Sequence, residues 1–476
     1  MSNSSLAGKR ILSLLDENSF VEIGAAITAR ATDFNMDPKE AASDGVVTGY
    51  GLIDGNLVYV YSQDSSVLGG SIGEMHAKKI VDIYMKAMKM GAPVIGLIDS
   101  AGLRLQEATD ALAAFGSIYN AQAMASGVIP QITAVFGNCG GGLALVAGMS
   151  DFTFMEGSKA KLFVNSPNAL CGNYESKKDT ASAAFQAEEC GNVDVVASED
   201  EIFTKVRALV TMLPANNEEN GAYDECNDDL NRVVADIANC AGDTSIALSM
   251  IADNNDYFEV KADYAKEITT GFIRLNGMTV GCVANRSEIY GDDGQKTAEP
   301  GMYITPYGCA KAAEFVNFCD SFDIPVLTLT NVKGFGACVE CEKKLARAAS
   351  KMVYAFANAS VPKVNVIVGT AFGSAGVAMN SKSLGADMTF AWDNATVGMM
   401  DSDIAAKIMC DGKGSDAIAD ASKKYAELQN SIESAARRGY VDTIIAPCDT
   451  RKYLVGAFEM LYTKREGRPG KKHGTV

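Results

Sequence analysis

Histidine and tryptophan are nearly absent from this chain of 476 residues, which has two histidines, His76 and His473, and a single tryptophan. So few histidines argue against a histidine-based catalytic triad and against a metal site with several histidine ligands. Cysteine does not supply such a site either, because Cys338 and Cys341 form a lone C-x-x-C pair and tetrahedral zinc needs four ligands. The sequence therefore predicts no metal site.

Long apolar runs are also missing. No stretch of about 18 uninterrupted apolar residues occurs, so no membrane span is predicted. The initial segment MSNSSLAGKRILSLLDENSF lacks the apolar run of a secretory signal. The formal net charge of −17 argues against a nucleic-acid partner. Twelve cysteines without short regular spacing are typical of reduced thiols, so we expect a cytoplasmic protein.

The sequence does contain an internal repeat, in which one pattern occurs twice. The segment KIVDIYMKAMKMGAPVIGLIDSAG, from Lys79, returns as KAAEFVNFCDSFDIPVLTLTNVKG, from Lys311. Three landmarks recur after 232 residues: Pro93 and Pro325, Pro130 and Pro362, Gly141 and Gly373. The chain is also too long for one hydrophobic core. We therefore predict two copies of one domain, residues 1–225 and 226–476, joined within the polar stretch from Pro214 to Arg232.

Each copy alternates strand and helix patterns. APVIGLID, from Ala92, and IPQITAVFG, from Ile129, are short, apolar and bounded by turn residues, as buried strands are. The segment between them has a helical pattern. Strand, helix and strand in this order favour parallel crossovers, so the fold class is predicted as α/β.

The second strand of each copy runs into a turn of small residues and then an apolar helix, in ITAVFGNCGGGLALVAG and VNVIVGTAFGSAGVAMNS. Such a turn leaves backbone N–H groups unpaired at the start of the helix, and glycine lets an oxygen atom approach them closely. This arrangement can stabilise an oxyanion formed in carbonyl chemistry. The alternative is that the glycines only allow helix and strand to pack closely. The pairing of two such turns favours the first interpretation.

Several long motifs carry a family resemblance, among them SQDSSVLGGSIGEMHAKKI, GAPVIGLIDSAGLRLQEATDALAAFGSIY and ASGVIPQITAVFGNCGGGLALVAGMSDFTFM in the first half. GFIRLNGMTVGCVAN and KMVYAFANASVPKVNVIVGTAFGSAG agree in the second. The chain resembles the carboxyltransferase subunits of biotin-dependent acyl-CoA carboxylases, such as propionyl-CoA carboxylase β, and of the related acyl-CoA decarboxylases. The resemblance implies tandem duplicated crotonase-like domains. It places acyl-CoA with the first and biotin with the second.

The resemblance also implies roles for backbone groups. Gly141 and Gly142 would donate N–H groups to the acyl-CoA thioester oxygen, and Ser374 and Ala375 would donate to the ureido oxygen of biotin. The remaining substrate-binding positions are Ser100, Ala101, Gly102, Gly140 and Gly373. The implied mechanism needs no side-chain nucleophile: CO2 passes between biotin and the enolate of the acyl-CoA, and the biotin nitrogen takes the α-proton.

Biotin is expected on another polypeptide. Ala87-Met88-Lys89-Met90 matches the core of a biotin-acceptor site, but the apolar spacing around it is typical of an amphipathic helix. No ATP-binding P-loop occurs either. The expected partners are a biotin carboxyl carrier protein and biotin carboxylase or decarboxylase subunits. The resemblance further implies a homo-oligomer, a dimer with sites shared between copies or a hexamer.

Other motifs have two interpretations. Arg104, Gln106 and Glu107 match a family motif and are either functional or loop-bracing, whereas for His76 a structural role is favoured over a catalytic one. The second half departs from the family at Lys333-Gly334-Phe335, at the following segment GACVECEKKLARAAS, which is predicted as a loop, and at Gly369-Thr370. The predicted function is carboxyl transfer between biotin and a short-chain acyl-CoA. The alternatives are the carboxyltransferase component of a sodium-pumping decarboxylase, a crotonase-type hydratase or isomerase, and a non-catalytic structural subunit.

Overall fold

A computed structural model describes residues 4–30, 41–219, 221–291 and 293–468. The chain divides into two compact units, Met1–Ala222 and Tyr223–Val476. The division falls inside the polar stretch from Pro214 to Arg232. His473 and the rest of the basic tail from residue 469 lie outside the described residues.

The first unit is a sheet flanked by helices. Its strands are β1 (Val21–Ile23), β2 (Val46–Ile53), β3 (Asn56–Gln63), β4 (Val94–Ser100), β5 (Gln131–Gly140), β6 (Phe152–Glu156), β7 (Lys161–Phe163) and β8 (Val195–Ala197). Its α-helices are α1 (Leu6–Leu14), α2 (Glu74–Met90), α3 (Ala108–Ala125), α4 (Gly142–Gly148), α5 (Asn173–Ser176) and α6 (Glu199–Met212).

The strand order of this sheet is β1-β2-β3-β4-β5-β6-β8, and β7 pairs with the end of β5. β1 to β3 are antiparallel, and the pairs from β3–β4 onward are parallel. The parallel strands are joined by α2 and α3, whose apolar faces bury Ile83, Tyr84, Phe115 and Ile118 against the sheet. Because parallel strands are covered on their faces, β4 and β5 are almost continuously apolar. This confirms the predicted α/β class.

The second unit repeats the design. Its strands are β9 (Tyr257–Val260), β10 (Ile268–Leu275), β11 (Met278–Asn285), β12 (Ile289–Tyr290), β13 (Lys296–Ala298), β14 (Tyr303–Ile304), β15 (Val326–Val332), β16 (Gly334–Phe335), β17 (Lys363–Phe372), β18 (Met388–Trp392), β19 (Thr396–Gly398) and β20 (Thr443–Ile445). Its α-helices are α7 (Thr244–Ile251), α8 (Pro306–Ser321), α9 (Val339–Asn358), α10 (Gly373–Ala378), α11 (Ser402–Met409), α12 (Ser415–Tyr425), α13 (Ile432–Arg437) and α14 (Thr450–Leu461).

The main sheet of this unit has the order β9-β10-β11-β15-β17-β18-β20, with β19 beside the end of β17. Strand for strand, this is the order of the first unit. β15 and β17 begin 232 residues after β4 and β5, so the repeat seen in the sequence is a repeat of the sheet. A core of Leu327, Val364, Val366, Trp392 and Phe458 fills one face.

Polar anchors repeat as well. Asp151 Oδ2 accepts the N–H of Gln131 at 2.8 Å at the start of β5, and Asp387 Oδ2 accepts the N–H of Lys363 at 2.8 Å at the start of β17. Desolvation raises the pKa of Asp151 to about 7. Both carboxyls therefore fasten the strand that leads into a glycine turn.

The Lys89 motif lies at the end of α2, which stops where Gly91 adopts a left-handed conformation with φ of +61°. Lys89 is thus on a helix and not on a hairpin, as the apolar spacing predicts. Within the described residues, none of the helices is both long enough and apolar enough to span a bilayer.

Candidate functional site

The first glycine turn joins β5 to α4. Gly141 has φ of +63° and ψ of −129°, a conformation that side chains with a Cβ rarely adopt. The chain reverses there and enters α4 at Gly142. The glycine at position 141 is therefore required by the backbone itself.

The N–H groups of this turn are not all available. That of Gly141 donates to the carbonyl of Phe163 at 2.9 Å, on β7 beside the end of β5. The N–H groups of Gly142 and Leu143 have no partner within the described part of the chain. The sequence-based assignment placed the donors at Gly141 and Gly142, and of these two N–H groups only that of Gly142 is free among the described residues. The pair of free donors is one residue further along.

Tyr119, on α3, holds this turn and was not predicted from the sequence. Its hydroxyl donates to the carbonyl of Gly142 at 2.6 Å. A Cβ at position 142 would lie 2.7 Å from that hydroxyl oxygen, so the contact needs glycine. Burial raises the pKa of Tyr119, which keeps the hydroxyl protonated as a donor. The sequence signal is only the Phe115–Tyr119 spacing of four residues on one helix face.

The segment Ser100–Gly102 lies beside the turn. Ser100 pairs with Cys139 in the sheet register, and a Cβ on Gly102 would lie 3.4 Å from the carbonyl oxygen of Gly140. Its own amides are used internally, since the N–H of Ala101 donates to Gly69 O at 2.8 Å and that of Gly102 donates to Ser100 Oγ at 3.0 Å. The structure thus places the predicted Ser100, Ala101, Gly102 and Gly140 together. They form the wall of the turn and not a further set of free donors.

A buried charged cluster braces the same region. Arg104 donates to Glu107 Oε1 at 2.9 Å and to Ser71 Oγ at 3.2 Å, and it forms an ion pair with Asp44. Glu107 in turn accepts the N–H of Glu74 at the start of α2, at 2.6 Å. Gln106 between them is exposed. Arg104 and Glu107 therefore have the loop-bracing contacts that were one of the two interpretations of this motif.

His76 belongs to this buried cluster. Its Nδ1 lies 2.8 Å from the carbonyl of Asp44, which can only accept, so Nδ1 carries the proton. Its Nε2 then accepts from the side-chain amide of Gln63 at 3.2 Å. Burial and the nearby Arg104 cation lower the pKa of His76 to about 3. The ring is neutral, buried and fully hydrogen-bonded, which is a structural role.

The second glycine turn joins β17 to α10. Gly373 has φ of +61°, and Gly376 packs so closely on the strand that a Cβ there would lie 2.8 Å from the carbonyl carbon of Ala371. Within the described residues, the N–H groups of Ser374 and Ala375 have no hydrogen-bond partner. These two residues lie 232 positions after Gly142 and Leu143. The two units therefore leave equivalent pairs of amides free.

A cavity of about 460 Å³ opens beside Ser374. Its walls come from Phe335 and from α9, mainly Val353, Tyr354 and Ala357. An uncharged ring with a carbonyl oxygen would find apolar walls here and two free amides at the turn.

Two of the second-half segments that depart from the family pattern still make strand and hydrogen-bond contacts. Gly334–Phe335 forms β16 and pairs with β14, although lysine precedes it at position 333. A Cβ on Gly369 would lie 2.5 Å from Asn331 Oδ1, and that oxygen accepts the N–H of Thr370 at 3.0 Å.

The segment GACVECEKKLARAAS is not a loop but the start of α9. Cys338 is the N-cap, and its Sγ accepts the N–H of Cys341 at 3.1 Å. The described residues contain no cluster of three or more histidine, cysteine or acidic side chains that could hold a metal ion.

The comparisons with known proteins give the same family and extend over nearly the whole chain. Residues 2–476 match the carboxyl transferase domain family. The chain belongs to the carboxyl transferase family. It is 40% identical to the propionyl-CoA carboxylase beta chain of Roseobacter denitrificans, over 99% of this chain and 93% of that one. It is 38% identical to the methylmalonyl-CoA decarboxylase subunit alpha of Propionigenium modestum, over 99% and 92% of the two chains.

Among solved structures, this carboxyltransferase is similar to transcarboxylase 12S, described as a hexamer with methylmalonyl-CoA and methylmalonic acid bound. The TM-score is 0.91 at 36% identity, over 99% of this chain and 93% of that chain. The predicted family and the predicted fold, tandem duplicated crotonase-like domains, are thereby confirmed. Carboxyl transfer is the chemistry of the chain.

Proposed function

We propose that this carboxyltransferase moves a carboxyl group between biotin, carried on a partner protein, and a short-chain acyl-CoA such as acetyl-CoA or propionyl-CoA. One observation carries the proposal. The family match extends across both glycine turns, and each turn leaves two adjacent amides unpaired among the described residues. The relatives named above act on propionyl-CoA or methylmalonyl-CoA by their names.

The first turn would bind the thioester oxygen. Removal of the α-proton of an acyl-CoA moves negative charge onto that oxygen, and two aimed N–H groups stabilise it in the transition state. Gly142 and Leu143 supply these groups in our assignment. Because α4 has only seven residues, the amides themselves contribute more than the helix dipole. Ser100, Ala101, Gly102 and Gly140 shape the adjoining wall, and Gly141 sets the reversal.

The second turn would bind the ureido carbonyl of biotin through the amides of Ser374 and Ala375, with Gly373 setting the reversal. The residues present fit that group, since the cavity has mostly apolar walls and Ser374, whose amide is free, lines it. When bound, biotin supplies or accepts the carboxyl group. The chain's own part is to hold the ring and to polarise its carbonyl.

These two turns would assign one substrate to each half of the chain. Residues 1–225 would take the acyl-CoA and residues 226–476 the biotin. The partners would be a biotin carboxyl carrier protein and biotin carboxylase or decarboxylase subunits, and the chain would form a homo-oligomer. A cytoplasmic location suits twelve cysteines that are all free thiols.

A decarboxylase subunit is the second candidate. The methylmalonyl-CoA decarboxylase subunit alpha covers this chain as fully as the carboxylase relative does, at 38% against 40% identity. Both roles use the same carboxyl transfer, run in opposite directions. Purification from the native source separates them: biotin carboxylase should accompany a carboxylase subunit, and membrane subunits should accompany a component of a sodium-pumping decarboxylase.

Two further alternatives predict different assays. A crotonase-type hydratase or isomerase would act on enoyl-CoA without biotin. A structural subunit would bind acyl-CoA without turnover. The family match and the preserved pairs of amides favour the carboxyltransferase over both.

The test is a transfer assay with the purified chain, free biotin and methylmalonyl-CoA or malonyl-CoA. We expect release of propionyl-CoA or acetyl-CoA at a rate that rises with biotin concentration. Biotin-independent hydration of an enoyl-CoA, or acyl-CoA binding with no turnover in the presence of biotin, would contradict the proposal.

A further inference from the structure

The second unit contains another cavity, which is lined in part by Gly373 and Gly376 of the second glycine turn but to which the proposed function assigns no ligand. It has a volume of about 360 Å³ and lies between the ends of β17 and β18, α10 and the segment 425–440. Ile367, Val377, Val397 and Met399 make its walls mostly apolar. This size and lining are those of a site for a small organic molecule.

One wall of this cavity carries an unsatisfied hydroxyl. Thr389 lines the cavity and is 1% exposed, and its Oγ1 atom has no hydrogen-bond partner within the described residues. A buried hydroxyl without a partner is costly, and native proteins rarely leave one unpaired. The atom therefore indicates a ligand group that completes its hydrogen bonding.

The duplicated half of the chain shows the hydrogen bond that the equivalent threonine makes. Thr153 is its counterpart on β6, and Thr153 Oγ1 donates to the carbonyl of Ala147 at 3.1 Å. The equivalent carbonyl in the second unit, that of Met379, accepts instead from the hydroxyl of Thr330 at 3.4 Å. Thr389 therefore makes no hydrogen bond to this carbonyl, whereas its counterpart Thr153 bonds to the equivalent one.

The cavity is also lined by an exposed cation, Arg438, that pairs with no carboxylate of the described residues. Arg438 lines it and bonds only to neutral acceptors, including Gln429 Oε1 at 3.0 Å and the carbonyl of Ser434 at 3.0 Å. Within the described residues, no carboxylate lies at ion-pair distance from its guanidinium, whereas Lys382, which also lines the cavity, is paired with Asp442. The charge of Arg438 is thus available to an anionic group.

We propose that this cavity binds a small organic acid with a carboxylate, an apolar chain and a hydroxyl or carbonyl group at the far end. The carboxylate meets Arg438, the chain contacts the apolar walls, and the far polar group bonds to Thr389. This cavity shares no lining residue with the cavity beside Ser374, although Gly373 of the second glycine turn contributes to it, and the proposal concerns binding and not carboxyl transfer.

The test is calorimetric titration of the full-length chain with ω-hydroxyalkanoates of four, six and eight carbons, compared with the alkanoate and the α,ω-diol of equal length. For the best chain length, the hydroxyalkanoate should bind about five-fold more tightly than the alkanoate, from one neutral hydrogen bond. It should bind at least about ten-fold more tightly than the diol, from one charged contact.

Three variants assign these preferences to residues. Thr389→Val should abolish the preference over the alkanoate and keep the preference over the diol, and Thr389→Ser should retain both. Arg438→Gln, at an exposed position where folding is not at risk, should abolish only the preference over the diol. Thr153→Val and Arg437→Gln are the matched controls and should change neither.

Three results would overturn the proposal. The first is no binding of any member of the series at millimolar concentration, which would leave water as the partner of Thr389. The second is equal binding of all three ligand types. The third is an effect of Arg438→Gln no larger than that of Arg437→Gln. Since the readout is binding alone, failure here leaves the transfer assay unaffected.

Discussion

At the scale of single residues, the first unit depends on a charge cluster that water does not reach. Arg104 is 1% exposed and pairs with the buried carboxylates of Asp44 and Glu107. Burial raises the pKa of Asp44. Removing the cation would leave both carboxylates unpaired in a medium of low dielectric constant. The segments that carry them, before β2 and before α3, would then lose their common anchor.

We expect Arg104→Met to lower the free energy of unfolding by about 3–5 kcal/mol, because it breaks a buried ion pair on one side only. The matched control is Arg30→Met, whose pairs with Glu74 and Asp110 are largely exposed and should contribute about 0–1 kcal/mol. Denaturant unfolding followed by circular dichroism measures both. Equal losses for the two variants would contradict the assignment of Arg104 as a brace.

His76 makes stability dependent on pH with a definite sign. Its pKa is lowered to about 3 in the folded chain, from an ordinary value of about 6.5, so between these values only the unfolded chain takes up the proton. The contribution of neutral His76 is therefore complete above about pH 6.5 and is lost as pH falls towards about 3.

For His76→Gln we expect the slope of unfolding free energy against pH in this window to fall by about 1.4 kcal/mol per pH unit, the value for one proton. Asp151, whose pKa is raised to about 7, acts in the opposite direction but is common to both proteins. Denaturant unfolding at several pH values in the window measures the slopes. Identical slopes for variant and wild type would show that His76 is charged in the folded state.

At the scale of elements, the unit of β5, its glycine turn and α4 requires glycine at position 141 but not at position 148. Gly141→Ala places a Cβ on a backbone with φ of +63° and ψ of −129°, and should cost about 1–3 kcal/mol of stability. Gly148→Ala, at the end of α4 where a Cβ would meet nothing within 4 Å, should be neutral or stabilise by up to about 1 kcal/mol. Thermal unfolding compares the two, and the reverse order would contradict the account of the turn.

The strands and glycine turns of this unit were predictable from the sequence, but the hydrogen bonding of the turn was not. The 232-residue repeat places β4 with β15, β5 with β17 and one glycine turn with the other, because apolar runs and glycines leave a clear sequence pattern. The free amide of Leu143 leaves none, since a backbone N–H is present whatever the side chain and leucine is an ordinary apolar residue of the helix. The bond from Gly141 N–H to Phe163 O depends on β7, a three-residue strand too short to be recognised from its pattern. The start of α9 was likewise taken for a loop.

At the scale of the whole molecule, the duplication gives one chain two equivalent glycine turns with free amides. The sequence resemblance implies that the first-half turn of one copy works with the second-half turn of another, which makes a dimer the smallest active assembly. The similar transcarboxylase 12S is described as a hexamer. We therefore expect light scattering at micromolar concentration to give the mass of a dimer or a hexamer. A monomer that retains full transfer activity would contradict shared sites.

The most direct test of the central claim is the rate of biotin-dependent propionyl-CoA release from methylmalonyl-CoA by Gly142→Val, with Gly148→Val as the control on the same helix. A side chain at position 142 would meet the Tyr119 hydroxyl and displace the amides of Gly142 and Leu143 from the thioester oxygen. We predict a rate lowered about 100-fold, the cost of losing an oxyanion donor, in a folded variant that still binds acyl-CoA, and a control within two-fold of wild type. An unchanged rate for folded Gly142→Val would contradict the account.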